Sequence, residues 1–340
     1  MSSTSSISRK TGTIVVTRCM AIWLFFSCGS HTINQSKESF TQLSPLFDAD
    51  SAYHFIQTQV DFGPRVPNTE AHRRCGNYLV DKLTQLGASV TEQHANIMFY
   101  DGSLVRLRNI IGSYFPKKEK RVLLAAHWDS RPYADQETEK EKQQQPILGA
   151  NDGASGTAVL LEIARQLQQR PTDVGIDIVL FDLEDSGQPT FNKTYIDGDW
   201  WCIGSQYWAE NPHKKDYKAD FGILLDMVGA KDATFLYEGY SYQHAKSILK
   251  NVWKTAHKLG FGTHFIQKPG SYITDDHVAI NEVLRIPTID IIHLKNSETG
   301  FAPHWHTLDD TMDVICRSTL KAVGQTVLEV IYGEKSNNKI

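Results

Sequence analysis

Side chains that could bind a metal ion stand in this chain where short apolar segments end. Six strand or loop ends carry histidine or carboxylate groups of this kind, and they hold His127, Asp152, Glu184 with Asp185, Asp226, Asp275, and His306. A single aspartate at such a point is usually a cap or turn residue, but six positions are harder to explain in that way. Histidine nitrogen and carboxylate oxygen are ligands of catalytic zinc, which takes three protein ligands and leaves one position open for substrate. The sequence therefore predicts a metal site.

The apolar segments predict the elements that would position these groups. Runs that are apolar nearly throughout, as in strands buried on both faces, cover residues 122–126, 176–181, 221–225 and 288–294. Apolar residues at three- and four-residue steps predict helices over 69–86, 154–167 and 242–259. This order indicates an α/β fold, a three-layer sandwich with a central mixed, mostly parallel sheet flanked by helices. In such folds ligands collect at the carboxyl ends of the strands.

Composition narrows the class of protein. The chain has 340 residues, 35 basic and 39 acidic side chains and a formal net charge of −4, so it offers no electrostatic footprint for nucleic acid. Its five cysteines are scattered and form no CxxC pair, which argues against a zinc knuckle or a redox motif. Cys75, Cys202 and Cys316 are expected to be buried thiols. The sequence does not define the oligomeric state, and a monomer is favoured.

The N-terminal segment is typical of an exported protein. Arg9, Lys10 and Arg18 precede an apolar stretch, residues 19–27, which is too short for the roughly 20 residues of a membrane span. We interpret residues 1–28 as a leader, 29–44 as a flexible tether and 45–335 as a single zinc-dependent catalytic domain. Because the leader ends in a loose lipoprotein box, Cys28 is the expected lipid anchor and the only expected contact with a membrane, which would make the protein a periplasmic, membrane-anchored lipoprotein. The alternatives are a plain secretory leader and an uncleaved anchor.

Five motifs between about residues 45 and 332 carry a family resemblance. They are His127-x-Asp129, Gly149-Ala-Asn-Asp-Gly-Ala-Ser-Gly156, Asp182-x-Glu184-Asp185, Leu225-Asp226-x-x-Gly229 and Trp305-His306-Thr307-x-x-Asp309-Asp310. In this order they resemble the zinc-dependent exopeptidases of the bacterial leucyl aminopeptidase type and their non-hydrolytic relatives, the glutaminyl cyclases. That family brings an α/β sandwich with a central mixed sheet, in agreement with the fold expected from periodicity.

Metal ligands do not separate the two branches of this family. In the two-zinc aminopeptidases, the positions of His127, Asp152, Asp185, Asp226 and His306 bind metal, and all of these residues are present. Other features resemble the bacterial members of the animal-like cyclases. They are the aromatic pair Phe301 and Trp305, the doublet that begins at Asp275, and the stretch 62–67. We therefore predict a glutaminyl cyclase, with a two-metal aminopeptidase as the alternative.

The resemblance implies a role for each site residue. One zinc per chain would be held by Asp152, Asp185 and His306, while Phe301 and Trp305 would shape the substrate pocket. The reaction would convert the N-terminal glutamine of peptides and proteins to pyroglutamate with release of ammonia. Glu184 would carry the proton from the attacking amine to the leaving nitrogen. Asp226 and Asp275 would share a hydrogen bond or a proton.

Further expectations concern the neighbours of these groups. His127 is expected to form hydrogen bonds in the site without binding metal, and Asp309 and Asp310 to orient the ligand loops. Trp201 belongs to an aromatic cluster expected mainly in the core, with lining of the pocket as the alternative. Because Glu184 and Asp185 are adjacent, both can serve one site only if the chain turns there.

Overall fold

The computed structural model describes residue 12 and residues 40–194, 196–295 and 300–336. Residues Thr41–Ile340 group into one compact unit. Apart from residue 12, the predicted leader with Cys28, its expected lipid anchor, and the tether up to residue 39 lie outside the described residues. At the other end of the tether, the backbone N–H groups of Leu43 and Ser44 donate to Glu329, so these two residues pack against the domain although they precede its predicted start at residue 45.

The described residues form eight strands and eight α-helices. The strands are β1 (Ser89–Met98), β2 (Leu104–Tyr114), β3 (Arg121–His127), β4 (Gly175–Phe181), β5 (Phe221–Asp226), β6 (Phe235–Tyr237), β7 (Phe265–Pro269) and β8 (Thr288–Ile292). The helices are α1 (Ala49–Val60), α2 (Glu70–Gln85), α3 (Ala154–Gln169), α4 (Ile203–Glu210), α5 (Gly239–His244), α6 (Lys246–Lys258), α7 (Asp276–Ala279) and α8 (Arg317–Gly333). A π-helical turn (Ile280–Leu284) follows α7, and a 3-10 turn (Met312–Val314) precedes α8. None of the helices described is long and apolar enough to cross a membrane.

The central sheet is mixed, with the strand order β1-β2-β4-β3-β5-β8. Strand β3 is parallel to β4 and β5, and β5 is parallel to β8, whereas β2 is antiparallel to both β1 and β4. Apolar side chains fill both faces. Leu124 packs in a cluster with α1, α3 and α8, while its neighbour Leu123 packs in a second cluster with Trp208 of α4. The predicted three-layer α/β fold is confirmed.

Strand ends and helix starts bring the polar groups to one edge of this sheet. His127 is the last residue of β3 and Asp226 the last residue of β5. Asp152 lies two residues before α3, and Asp275 is the N-cap of α7. This is the carboxyl edge of the parallel strands, where the fold class places ligands.

Candidate metal centre

Asp152, Asp185 and His306 converge at this edge, from three separate loops. One ligand atom from each lies within 4.8 Å of the others, and all three side chains are buried. His306 Nε2 is 3.0 Å from Asp185 Oδ1 and 3.7 Å from Asp152 Oδ2. Asp185 Oδ2 is buried without a hydrogen-bond partner in the described part of the chain, as expected of an oxygen kept for a cation. These donors fit catalytic zinc.

Asp310 fixes the loop that carries Asp152. Its two carboxylate oxygens accept the backbone N–H groups of Asn151 and Asp152, at 2.8 and 3.0 Å. Burial raises the pKa of Asp310 to about 8. The structure thus places Asp310 where it orients a ligand loop, as the sequence analysis expected, whereas the side chain of Asp309 is exposed.

Arg65 is a fully buried cation that also holds the loop of Asp152 in place. Its guanidinium donates to the carbonyl oxygens of Leu148, Gly149 and Trp128, at 2.6, 2.7 and 2.9 Å. Leu148 and Gly149 precede Asp152, and Trp128 follows β3, so a single side chain ties together the two ends of the connection between β3 and α3. Arg65 lies within the stretch 62–67, for which the sequence analysis gave a resemblance but no role.

His306 is oriented by a buried ion pair. Its Nδ1 lies 3.4 Å from Asp135 Oδ1, and Arg131 binds both oxygens of Asp135 at 2.7 Å. Arg131 also donates to the carbonyl oxygen of Asp185 at 3.0 Å. Burial disfavours both charges of the ligand pair, but the attraction between them lowers the pKa of Asp185 and raises that of His306.

The chain turns between β4 and Asp185, as predicted. Leu183 has a left-handed backbone conformation, with φ 59°, directly before Glu184. The buried carboxylate of Asp129 accepts the N–H groups of Glu184 and Asp185, both at 3.3 Å. Both side chains therefore reach the site from adjacent positions. Burial raises the pKa of Glu184 well above its usual value, which favours the protonated form of this carboxyl.

A second group of donors adjoins the first and contains Asp226. His127 Nε2 lies 3.1 Å from Asp152 Oδ1 and 3.2 Å from Asp226 Oδ1. A Cβ on Gly153 would lie 2.5 Å from the His127 ring, so glycine is required for this close approach. These three donors could hold a second metal ion, and ligand geometry does not separate the two branches of the family.

The hydrogen bond or shared proton expected between Asp226 and Asp275 stays a prediction. Asp226 Oδ1 lies 3.2 Å from His127 Nε2, and Asp275 Oδ1 accepts the N–H of Asp276 at 2.5 Å. Asp275 Oδ2 is buried, with no hydrogen-bond partner among the described residues. Burial raises the pKa of each carboxyl to about 6, and the charge of Asp226 adds to this effect at Asp275.

An aromatic wall stands against His306. The Trp305 ring is stacked 3.8 Å from the His306 ring, and the Phe301 ring lies 4.5 Å from that of Trp305. Trp201 is parallel to His306 at 6.0 Å and carries the Arg131 guanidinium over its face. Trp201 therefore belongs to the surroundings of the site, which corrects the expectation that it lies in the core. Trp208, by contrast, packs in the core.

Several residues that the structure brings to this centre have no role predicted from the sequence. They are Arg65, Asp129, Arg131, Asp135 and Cys202. Asp129 and Arg65 lie within sequence stretches that resemble the family, and this resemblance could have indicated a role for them at the site. Asp135 and Cys202 lie in no motif, so their contacts become visible only when the loops are folded.

Comparison with known proteins defines the family. The family model described as "Peptidase family M28" matches residues 109–331, which is more than half of the chain. The chain belongs to peptidase family M28.

Two solved structures are similar over most of the chain. The glutaminyl cyclase of Bacteroides thetaiotaomicron is 57% identical, with a TM-score of 0.84 over 86% of this chain and 100% of that one. A Zn-dependent exopeptidase from Parabacteroides distasonis is 53% identical, with the same TM-score and the same coverage of both chains.

Curated relatives come from both branches. Aminopeptidase YwaD of Bacillus subtilis is 27% identical over 79% of this chain, and the match spans 54% of that relative's length. The glutaminyl-peptide cyclotransferase of Drosophila melanogaster is 26% identical over 75% of this chain and 73% of the relative. Membership of the family therefore leaves the reaction to be argued from the site.

Proposed function

We propose that this protein is a zinc-dependent glutaminyl cyclase, an acyltransferase that converts the N-terminal glutamine of peptides and proteins to pyroglutamate and releases ammonia. The observation that carries this proposal is the aromatic wall of Trp305 and Phe301, built directly against the ligand histidine. Such a wall suits a peptide substrate whose reacting carbonyl is on the side chain of its N-terminal residue. The similarity to a bacterial glutaminyl cyclase at 57% identity supports the same function.

Asp152, Asp185 and His306 would hold one zinc ion per chain. When bound, zinc supplies Lewis-acid polarisation of the γ-carbonyl of the substrate glutamine. The ion pair of Arg131 with Asp135 keeps the His306 ring in place, and Asp310 and Arg65 keep the Asp152 loop in place. The site is therefore preorganised by hydrogen bonds from buried residues.

The remaining residues would arrange and deprotonate the substrate. The α-amine and the γ-carbonyl belong to one residue, so ring closure is intramolecular and requires a near-attack rotamer, which the aromatic wall would select. Glu184 takes a proton from the α-ammonium group and returns it to the departing amide nitrogen. Asp226 and Asp275 would bind the side-chain amide of the substrate glutamine. Water is not consumed.

A two-metal aminopeptidase is the alternative, and a specific observation favours it, namely the second donor group of His127, Asp152 and Asp226. Elemental analysis of wild type, His306→Ala and His127→Ala, together with an ammonia assay on a glutamine-initiated dipeptide, separates the two functions. The cyclase should hold one zinc per chain, lose it in His306→Ala and keep it in His127→Ala. Two zinc ions in the wild type, one of them lost in His127→Ala, with no ammonia released, would establish the alternative.

The cellular setting is part of the same proposal. We infer that the chain is exported and anchored as a periplasmic lipoprotein through Cys28, on the basis of the leader-like segment 1–28. We infer also that it acts as a monomer. All donors of both metal groups come from one chain, which supports a site that needs no second copy.

A further inference from the structure

The side chain of Glu184 has one hydrogen-bond donor among the residues that the structure describes, and it is a thiol. Cys202 Sγ lies 3.3 Å from Glu184 Oε1. The other oxygen, Oε2, lies 3.9 Å from His127 Nδ1, which is too far for a hydrogen bond. The orientation of the Glu184 carboxylate therefore depends on Cys202.

The backbone of Cys202 is tied to the same residue. Its N–H donates to the carbonyl oxygen of Glu184 at 2.9 Å, and the next N–H, of Ile203, donates to the carbonyl oxygen of Leu183 at 3.0 Å. Cys202 precedes α4 in a left-handed conformation, with φ 54° and ψ 32°, which is unfavourable for a residue other than glycine. In this conformation one residue holds both the main chain and the side chain of Glu184.

A thiol suits a carboxylate that has to gain and lose a proton in every cycle. A neutral S–H is a weak donor, so it can direct the carboxylate without fixing its charge as a lysine or arginine would. Cys202 is buried, with 3% of its surface exposed, and burial raises the pKa of its thiol well above the usual value. The thiol therefore keeps its hydrogen and remains a donor. Cys75, also buried, packs in the apolar core instead and offers a comparison.

We propose that Cys202 is a positioning residue, which orients the Glu184 carboxylate for proton transfer through its S–H···O hydrogen bond. The proposal rests on the proposed cyclase function, in which Glu184 moves the proton. Cys202 does not touch the substrate or the zinc in this account. Its loss should consequently affect turnover more than substrate binding or metal content.

The test compares Cys202→Ala, Cys202→Ser and the control Cys75→Ala in a steady-state ammonia-release assay, with zinc content measured for each. Cys202→Ala should lower kcat about tenfold and leave KM within about twofold, because the donor is removed and the pocket is not. Cys202→Ser should return kcat to within about threefold of wild type, because a hydroxyl can donate the same bond. Cys75→Ala should keep the wild-type kcat in the protein that folds.

A second comparison identifies the partner of the thiol. In a Glu184→Gln background, adding Cys202→Ala should change the residual rate less than about twofold, because residues that act as one unit have non-additive effects. A further tenfold loss in that background, an unchanged kcat in Cys202→Ala alone, or equal losses in the alanine and serine variants would each overturn the proposal. If the alanine variant does not fold, a zinc-loaded serine variant with a tenfold loss of kcat overturns it as well.

Failure of this inference can be distinguished from failure of the proposed function. A wild-type protein that releases no ammonia rejects the cyclase function, and this inference with it. An active wild type with an equally active Cys202→Ala rejects only the role of the thiol.

Discussion

Glu184 stands beside a predicted zinc ligand, but its surroundings differ from those of Asp185. Asp185 Oδ1 lies 3.0 Å from His306 Nε2, whereas the Glu184 carboxylate accepts a hydrogen bond from a neutral thiol. Burial raises the pKa of Glu184 well above the usual value. The two adjacent carboxyls are thereby separated into an anion suited to a metal and a group suited to proton transfer.

Glu184→Gln should retain zinc and lose turnover by about 100-fold or more, because the amide keeps the shape of the side chain and cannot carry the proton. The measurement is kcat for ammonia release with zinc determined on the same sample. Glu119→Gln, on the exposed surface, should leave both unchanged. A Glu184→Gln variant with a near wild-type rate would remove Glu184 from the mechanism.

Trp305→Ala should lower kcat by about tenfold or more, because loss of the ring that is stacked on His306 loosens the near-attack rotamer. The check is kcat on a glutamine-initiated dipeptide. Trp200→Ala is the matched control, since Trp200 packs against Phe99 and Tyr100 rather than against His306. Equal losses in the two variants would show that Trp305 acts through general stability.

At the scale of elements, four strands could be predicted because each is buried throughout. Strands β3, β4, β5 and β8 are apolar on both faces and end close to the predicted residues. Strand β1 escaped prediction because none of its residues is fully buried, so the sequence shows no apolar run there. Helix α8 escaped because buried polar residues such as Gln325 and Glu329 interrupt its apolar stripe.

The predicted helix over 242–259 is two helices, since the chain breaks at Ala245 between α5 and α6. Residue types and strand ends were sufficient to predict a metal site at the carboxyl edge of the sheet, and the family resemblance implied Asp152, Asp185 and His306 as its ligands. The supporting contacts could not be foreseen, because Asp135 meets His306, and Arg65 meets Gly149, only across large separations in sequence. The catalytic roles assigned to the site residues remain predictions.

Arg65→Gln should destabilise the protein by about 3 kcal/mol and weaken zinc binding, because carbonyl oxygens at both ends of the connection between β3 and α3 lose their charged donor. Denaturant unfolding and competition with a chelator measure the two effects. Arg73→Gln, which removes an exposed ion pair, should change neither. Wild-type zinc affinity in Arg65→Gln would show that the loop holds Asp152 without this cation.

At the scale of the whole molecule, the residues proposed for catalysis and the residue proposed for membrane anchoring lie in different parts of the chain. The compact unit Thr41–Ile340 carries both donor groups, and the proposed anchor lies before it in the sequence. The predicted activity and the predicted location of the protein can therefore fail independently.

Cys28→Ser should move the full-length protein from the membrane fraction to the soluble fraction, because a lipidated cysteine is the proposed anchor. Fractionation followed by a high-salt wash measures this. Membrane association of the variant that resists salt would indicate an uncleaved apolar segment. A soluble wild type would indicate a plain secretory leader.

The most direct test of the central claim compares two dipeptides that differ only in their first residue, glutamine or leucine. Ammonia and free amino acid are measured for both, with a glutamate-initiated dipeptide as a third substrate. A cyclase should release ammonia rapidly from the glutamine substrate, react poorly with glutamate, whose carboxylate is a far worse acyl group, and leave the leucine substrate intact. Release of free leucine, with no ammonia from the glutamine substrate, would contradict the cyclase function and establish a zinc aminopeptidase.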